Sequence, residues 1–395
     1  MLEIIYGENR RLIASEVLGQ LARHQAESPY SRGFLLVPEQ QKAGLERRYF
    51  TADQSRSLML EEVLSFRRFA LRIAEISGGT AQNTLNPALQ SFILGRLTEA
   101  HKDELEAFGG AMFRPSFLRL LSDSIGDFLR YEINPQDLDE AALRAEEDGL
   151  LRLAARLHDM SLLLAAYEEK FRAMGALPGD LLLKDLAERL SVLQQKAKAA
   201  DGNFEALDFP WRNYAFLRRS TVWIHGFGIS RSLTPQEYRI MALLEKLCKK
   251  VVITAECERI PENRREVGKG APSFRPGREL LYRLSLDYPQ ASYRKLEGKT
   301  PEPAYYIQNF KKPYDELRWT AGEIKRLLFE EEVKPQQIGI ALSKPELSAD
   351  MQQALKALDL PYYTTDTLRT VYGAFSRFNQ ALIMLLRYGF SREYV

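Results

Sequence analysis

The first eighteen residues most constrain the fold, because they read as a strand that passes through a turn directly into a helix. Residues 2–6 have the β-branched and aromatic content of a strand, and apolar residues from Leu12 to Leu21 follow at helical spacing. In a large α/β chain this is the usual setting of a P-loop, which needs G-x-x-x-x-G-K-[ST] to wrap a phosphate. Here one glycine is present and no Gly-Lys-Ser/Thr follows it. The degenerate P-loop place consists of Gly7, Glu8, Asn9, Arg10 and Arg11.

Length and composition indicate a soluble protein of two or three domains. The chain has 395 residues, 45% of them hydrophobic, and no apolar run near the roughly 18 residues that span a bilayer. We therefore expect no membrane segment, and the strand at the very start leaves no room for a signal peptide. Two cysteines, Cys248 and Cys257, exclude a disulfide framework and predict a cytoplasmic location. The net charge of +2 indicates no particular partner.

Strand–helix units repeat along the first eighty residues. Residues 33–38 predict a buried strand that ends at Pro38, and residues 58–66 predict a third short segment followed by a helix. Continuously apolar strands that alternate with helices are typical of a parallel, doubly wound sheet. Residues 80–214 instead carry long amphipathic stripes with almost no strand-like run, and predict an all-α insertion.

The α/β pattern resumes after the insertion. Residues 221–227 predict a strand and loop, Thr234 and Pro235 predict a helix start, and residues 251–255 predict the next strand. Residues 258–278 mix Pro, Gly and charged side chains, and predict a mobile loop.

The last hundred residues predict a second α/β domain that is incomplete. Residues 299–303 have the composition of a linker, and apolar runs at 305–307 and 338–342 predict two further strands. Two strand–helix units that end in the middle of a fold lead us to expect a piece of a longer protein.

Local spacing defines no catalytic constellation and no metal site. Three histidines, His24, His101 and His158, lie on polar helix faces, where a surface role is expected. Zinc spacings such as C-x₂-C or H-x₃₋₅-H are absent, and the acidic pairs lie on charged helix faces. We therefore predict no catalytic residues, no metal and no cofactor within this chain.

The order of elements, with four stretches, resembles superfamily 1 DNA helicases of the UvrD type. Strand, loop and helix at residues 4–18 stand in the P-loop place, and residues 35–40 resemble the second strand and its motif. Residues 63–69 resemble the stretch with which helicases touch single-stranded DNA. Residues 222–237 are similar to the strand that ends D-E-F-Q-D in active helicases, and residues 338–363 resemble the opening of a second motor domain. The closest resemblance is to the N-terminal region of the B subunits of AddAB/RexAB-type helicase–nucleases.

Departures from the helicase pattern imply an inactive motor. His225 and Gly226 stand where an active motor has Asp-Glu to hold Mg²⁺, and Ser343-Lys344 stands where an Arg would meet the γ-phosphate. Phosphoryl transfer depends on these groups, so losing them together with the P-loop removes most of the rate enhancement. We therefore expect no nucleotide-binding residues.

The positions that resemble the DNA-contacting stretches of helicases carry side chains that can bind DNA. Ser65 offers a hydroxyl to a phosphate, Phe66 a ring to a base, and Arg67 a charge to the backbone. A core position for Phe66 is the alternative, since aromatic side chains are usually buried. The preceding unit would contribute to the same groove through Gln40, Gln41 and Lys42.

The resemblance implies three domains and a role in DNA repair. Residues 1–79 and 215–298 would form a degenerate helicase-like α/β domain, residues 80–214 its all-α insertion, and residues 299–395 the start of a second motor-like domain. The whole B subunit would pair with an A subunit in an ATP-dependent exodeoxyribonuclease that processes double-strand breaks for recombination. Its nuclease, with Mg²⁺ and in one branch of the family a 4Fe–4S cluster, would lie beyond residue 395. This part would guide single-stranded DNA from a duplex end, with hotspot scanning as an added role.

Two other functions remain open at this point. One is a P-loop ATPase or helicase with an atypical phosphate loop, which tight Mg-ATP binding would reveal. The other is a protein-interaction scaffold without DNA contact, which absence of single-strand binding at low salt would favour.

Overall fold

The structure is a computed structural model of all 395 residues. It describes residues 1–28, 30–52, 58–78, 87–108, 115–175, 179, 181–228, 232–298, 305–344, 346–364 and 374–388. Contacts divide the chain into two units, Met1–Pro301 and Glu302–Val395. Among the described residues, no helix is both long enough and apolar enough to cross a bilayer.

The first unit is built on a six-stranded sheet in which every pairing is parallel. The strands are β1 (Leu2–Gly7), β2 (Gly33–Leu36), β3 (Glu61–Leu64), β4 (Thr221–Ile224), β5 (Lys250–Glu256) and β6 (Ser292–Lys295), in the spatial order β3-β2-β4-β5-β1-β6. The inner strands β2 and β4 are buried along their whole length, as their continuous apolar sequences predict. The predicted α/β class with a parallel sheet is therefore confirmed.

Fourteen α-helices fall within the described residues. They are α1 (Arg10–Glu27), α2 (Lys42–Ala52), α3 (Phe66–Ile76), α4 (Pro87–Ala100), α5 (Pro115–Arg130), α6 (Pro135–Glu147), α7 (Leu151–Met174), α8 (Leu182–Ala199), α9 (Pro235–Leu247), α10 (Arg264–Val267), α11 (Arg275–Asp287), α12 (Pro313–Phe329), α13 (Leu347–Lys356) and α14 (Ala374–Tyr388). Short 3₁₀ segments lie at Glu39–Gln41, Phe204–Ala206, Trp211–Arg219, Pro272–Phe274 and Pro335–Gln337.

Helices cover both faces of the sheet. Successive strand residues point to opposite faces, so Ile5 packs with α1 and α2 while Ile4 packs with α3, α8, α9 and α11. The α1 side also buries Trp223, whose indole N–H donates to Gln20 Oε1 at 3.0 Å. A sheet buried on both faces fixes the strand ends rigidly, which matters for the loops that follow them.

Helices α4 to α7 enclose a core of their own. Leu94, Leu121, Ile125, Leu164 and Phe171 lie at its centre. Helix α8 follows them in sequence, but it packs against α3 and α9 over the sheet. The domain boundaries expected at residues 79, 214 and 298 stay a prediction.

One buried carboxylate ties this helical core together. Asp159 of α7 is fully buried and accepts three backbone N–H groups, from Glu106, Ala107 and Phe108, at 2.8–2.9 Å. The carboxylate thus provides hydrogen-bond acceptors for the backbone N–H groups of the loop that follows α4.

Residues 258–278, predicted to be a mobile loop, are helical over about half of their length. They contain α10, the 3₁₀ segment Pro272–Phe274 and the start of α11. The composition of the segment does not indicate these helices, because a buried side chain, Arg278, holds the segment in place instead of an apolar stripe.

The second unit has a small core between α12 and α13. Leu317, Ala321, Ile324, Met351 and Leu355 are buried there. The strands predicted at 305–307 and 338–342 are wrong, since none of these residues is in a strand. Tyr305 is 84% exposed and Ile340 is 40% exposed. An apolar run becomes a strand only where a neighbouring strand accepts its backbone hydrogen bonds, and the local sequence does not reveal whether such a neighbour is present.

Candidate functional site at the carboxyl edge of the sheet

All six parallel strands end at one edge, so the loops that follow them lie side by side. The chain leaves β2 toward β3 in one direction and leaves the adjacent β4 toward β5 in the other. In parallel α/β sheets, a reversal of this kind between neighbouring strands opens the crevice in which ligands bind. The residues predicted for nucleotide and for DNA all lie in or beside these loops.

Gly7, the glycine of the P-loop place, has a structural role at the end of β1. Its carbonyl accepts the Cys257 N–H at 2.9 Å, and a Cβ at Gly7 would lie 2.7 Å from the Leu296 carbonyl oxygen. Close approach of two backbone segments therefore accounts for the glycine without a phosphate.

Asn9 closes the start of α1. Its Oδ1 accepts the N–H groups of Arg11 at 3.0 Å and Leu12 at 3.2 Å, as an N-cap residue does. These amides belong to the first turn, the part of a helix that holds a phosphate in a working P-loop. Glu8, beside Asn9, is half-buried. An Asn before a helical apolar run is a recognisable cap signal, which the sequence interpretation missed.

Arg10 pairs with a carboxylate that the sequence interpretation also missed. Its Nε lies 3.4 Å from Oε1 of Glu256, the last residue of β5. Burial raises the pKa of the Glu256 carboxyl, and the Arg10 charge opposes that shift. Arg11 is exposed, while its carbonyl accepts a hydrogen bond from Arg48 of α2 at 3.4 Å.

His225, the residue predicted to replace the acidic pair of active helicases, is buried. Its Nδ1 is 2.8 Å from the Thr254 hydroxyl oxygen. Burial lowers the pKa of His225 to about 4, and the nearby positive charges of Arg10 and Arg48 act in the same direction. The side chain is therefore neutral at pH 7 and offers no negative charge to a cation.

Gly226 continues this loop in the left-handed region, with φ +84°, and a Cβ there would collide with the Gln41 side chain. Gln41 Nε2 donates to the Gly226 carbonyl at 3.3 Å and so bridges the loops after β2 and β4. In the described part of the chain, no three His, Cys, Asp or Glu side chains come together as metal ligands.

The residues after β3 that were predicted to contact DNA differ from one another in whether they contact the protein or solvent. Ser65 caps α3, accepting the Arg68 N–H at 3.4 Å. A hydrogen bond from Ser65, aided by the Arg68 charge, lowers the pKa of Glu39. Phe66 is 2% exposed and packs edge-to-face on Phe227, with ring centroids 5.4 Å apart, which is the core alternative left open by the sequence.

Arg67 is exposed, and its guanidinium passes over Gly179. Of the residues after β2, Gln40 is exposed, and Lys42 lies 3.8 Å from the Glu46 carboxylate one helical turn away. The structure thus brings Gln40, Lys42 and Arg67 to one edge with polar groups at the surface, whereas Ser65, Phe66 and Gln41 contact the protein itself. DNA contact by all six stays a prediction.

Comparison with known proteins agrees with the resemblance seen in the motifs. Residues 7–200 match the family model described as "ADDB, N-terminal". Similar curated proteins are named as the B subunit of an ATP-dependent helicase/deoxyribonuclease. The one from Desulfitobacterium hafniense is 29% identical over 255 residues, which is 64% of this chain and 18% of the relative. The one from Heliobacterium modesticaldum is 29% identical over 236 residues, 59% of this chain and 17% of the relative.

A third such protein, from Pelotomaculum thermopropionicum, is 30% identical over 221 residues, 56% of this chain and 17% of the relative. The chain thus matches less than a fifth of the length of these relatives. The sequence motifs, the parallel sheet and these matches agree, and residues 7–200 belong to the AddB N-terminal family.

Proposed function

We propose that this chain is the helicase-like N-terminal module of an AddB-type protein, and that it binds and guides single-stranded DNA without using a nucleotide. The relatives' name places them in an ATP-dependent helicase/deoxyribonuclease. By that likeness the whole protein acts on DNA ends in double-strand-break repair, in the cytoplasm, beside an A subunit that supplies the motor.

The observation that carries this proposal is that the chain's own groups occupy the P-loop place. Asn9 caps the amides that a phosphate would need, and Glu256 neutralises Arg10. His225, buried and neutral, adds no negative charge for a metal. Phosphoryl transfer relies on charge and positioning at these points, so a site without them is a poor catalyst.

The same fold supports a DNA path along the carboxyl edge. Gln40, Lys42 and Arg67 present hydrogen-bond donors at neighbouring strand ends. Amide and guanidinium donors suit phosphate oxygens, which provide most of the contacts in sequence-independent binding. Under this proposal the sheet unit is a P-loop-like helicase domain that carries α4 to α7 as its insertion. Residues 299–395 begin a second motor-like domain, and the Mg²⁺ and iron–sulfur cluster belong to other parts of the whole protein.

Anisotropy of a fluorescent single strand tests the proposal. Affinity should fall steeply with salt, and Arg67→Ala should weaken binding and lower the salt slope by about 0.7, the value for one phosphate contact on a single strand. Arg152→Ala removes a charge that is also exposed, on α7, and serves as the matched control, with no expected change. Absence of binding at low salt would contradict the proposal and favour a protein-interaction scaffold.

A further inference from the structure

Residues 258–278, which run from the end of β5 through the first turn of α11, form a basic segment that the predicted DNA side does not include. Ion pairs join Arg259 to Glu266 at 3.5 Å and Arg278 to Glu258 at 3.1 Å. Within this segment, four exposed cations have no carboxylate at ion-pair distance among the described residues: Arg264, Arg265, Lys269 and Arg275. Glu262 is the one carboxylate of the segment left to balance them, so the surface keeps a positive excess.

Arg278 holds this segment from inside. It is 4% exposed; its Nε donates to the Val267 carbonyl at 3.0 Å and its Nη2 to the Ala271 carbonyl at 2.9 Å, while Nη1 meets both oxygens of Glu258. Gly270, at φ +88°, lets the chain pass close to the guanidinium, since a Cβ there would lie 3.1 Å from Nη1. The buried guanidinium forms hydrogen bonds with three separate points of the segment, and these bonds fix the conformation of the segment.

The loop after β4 connects this segment with the predicted DNA side. At one end of that loop, the Gly226 carbonyl accepts a hydrogen bond from Gln41. At its other end, a Cβ on Gly228 would lie 3.2 Å from the Cα of Gly277, in the first turn of α11. Since strands lie about 4.8 Å apart, the ends of β2 and β5 are about 10 Å apart along the edge.

We propose that residues 259–275 form a second contact for the sugar-phosphate backbone of a single strand, and that Arg278 is the positioning residue that presents Arg264 and Arg265 to it. This inference rests on the proposed function, because the strand reaches the segment from the edge that carries Gln40 and Arg67. The contact is to phosphates and therefore independent of base sequence.

Two labelled strands of different length test the inference. A strand of about 16 nucleotides reaches both surfaces, whereas a dinucleotide, with a single linking phosphate, is too short for the separation of about 10 Å and reaches only one. The double variant Arg264→Ala/Arg265→Ala should bind the long strand about 10-fold or more weakly and lower its salt slope by about 1.4. Arg67→Ala should weaken the binding of both strands.

The matched control is Arg152→Ala/Arg156→Ala, which removes two exposed charges from α7 and should leave long-strand binding unchanged. An equal loss in this control, or wild-type affinity and slope in Arg264→Ala/Arg265→Ala, would overturn the inference while the proposed function stood. If the wild type bound neither strand, the proposed function itself would fail.

Arg278→Lys tests the positioning role separately. Lysine keeps the charge but loses the planar fork, so trypsin should cleave between residues 259 and 275 faster than in the wild type. Long-strand binding should fall as in the double variant, while short-strand binding is kept. A protease-resistant segment with wild-type long-strand binding would show that Arg278 does not position these cations.

Discussion

His225 makes the stability of the sheet unit depend on pH in a defined direction. Its side chain is buried against Thr254, and its pKa is lowered from 6.5 to about 4. The unfolded chain therefore binds a proton at a higher pH than the folded chain does. The contribution of His225 is fully present above pH 6.5 and is lost as the pH falls toward 4.

The size of this effect follows from the two pKa values. At 1.36 kcal/mol for each pH unit, and with half of the folded histidines protonated at pH 4, the loss between pH 7 and pH 4 is about 3 kcal/mol. His225→Asn keeps a polar group near Thr254 but does not titrate, so this part of the pH dependence should disappear. Glu256, whose pKa is raised, titrates in both proteins and cancels in the comparison.

Urea denaturation between pH 4 and pH 8 measures this difference. The chain has three tryptophans, so a Trp211→Phe/Trp319→Phe background leaves buried Trp223 of β4 as the reporter. His158→Asn, which removes an exposed histidine from α7, is the control, and the loss of stability between pH 7 and pH 4 should be larger in this variant than in His225→Asn. Parallel pH profiles for wild type and His225→Asn would refute the account of a buried neutral histidine.

Three further substitutions test other parts of the structure by urea denaturation. Asp159→Ala removes the buried acceptor of three loop N–H groups and should cost about 3 kcal/mol or more, whereas exposed Asp148→Ala should stay within about 0.5 kcal/mol; similar values for the two would contradict the anchoring role. Thr234→Ala removes one half of the capping box of α9 and should cost about 1 kcal/mol; no change would mean that the cap adds no stability. Phe66→Ala should cost about 3–5 kcal/mol and Gln40→Ala less than about 0.5 kcal/mol; a stable Phe66→Ala variant with weaker DNA binding would instead restore Phe66 as a DNA contact.

The predictable parts of the fold are those in which a short stretch of sequence is enough to indicate a buried strand or the start of a helix. Strands β2 and β4 are continuous apolar runs, and Thr234-Pro235 marks the start of α9 with a cap and a favourable first residue. Residues 305–307 have the same local signature as a strand but lie exposed and unpaired. Pairing depends on a neighbour distant in sequence, which periodicity does not reveal.

The site was predictable in its location and less so in its contacts. Parallel topology places the loops after β1, β2, β3 and β4 at one edge once the strands are known. The contacts of Glu256 and Arg278 were missed because neither residue belongs to a recognised motif, and only the fold brings each to its partners. Whether Phe66 packs or stacks was undecidable from its sequence context, since both uses need the same aromatic residue.

Isothermal titration of Mg-ATP into the whole chain tests the central claim, that the fold of a motor is used here without nucleotide. The account predicts no binding heat, together with single-strand affinity that is the same with and without Mg-ATP. Tight Mg-ATP binding, or a change in DNA affinity when it is added, would contradict the account and show that the place at Gly7 to Arg11 still holds a nucleotide.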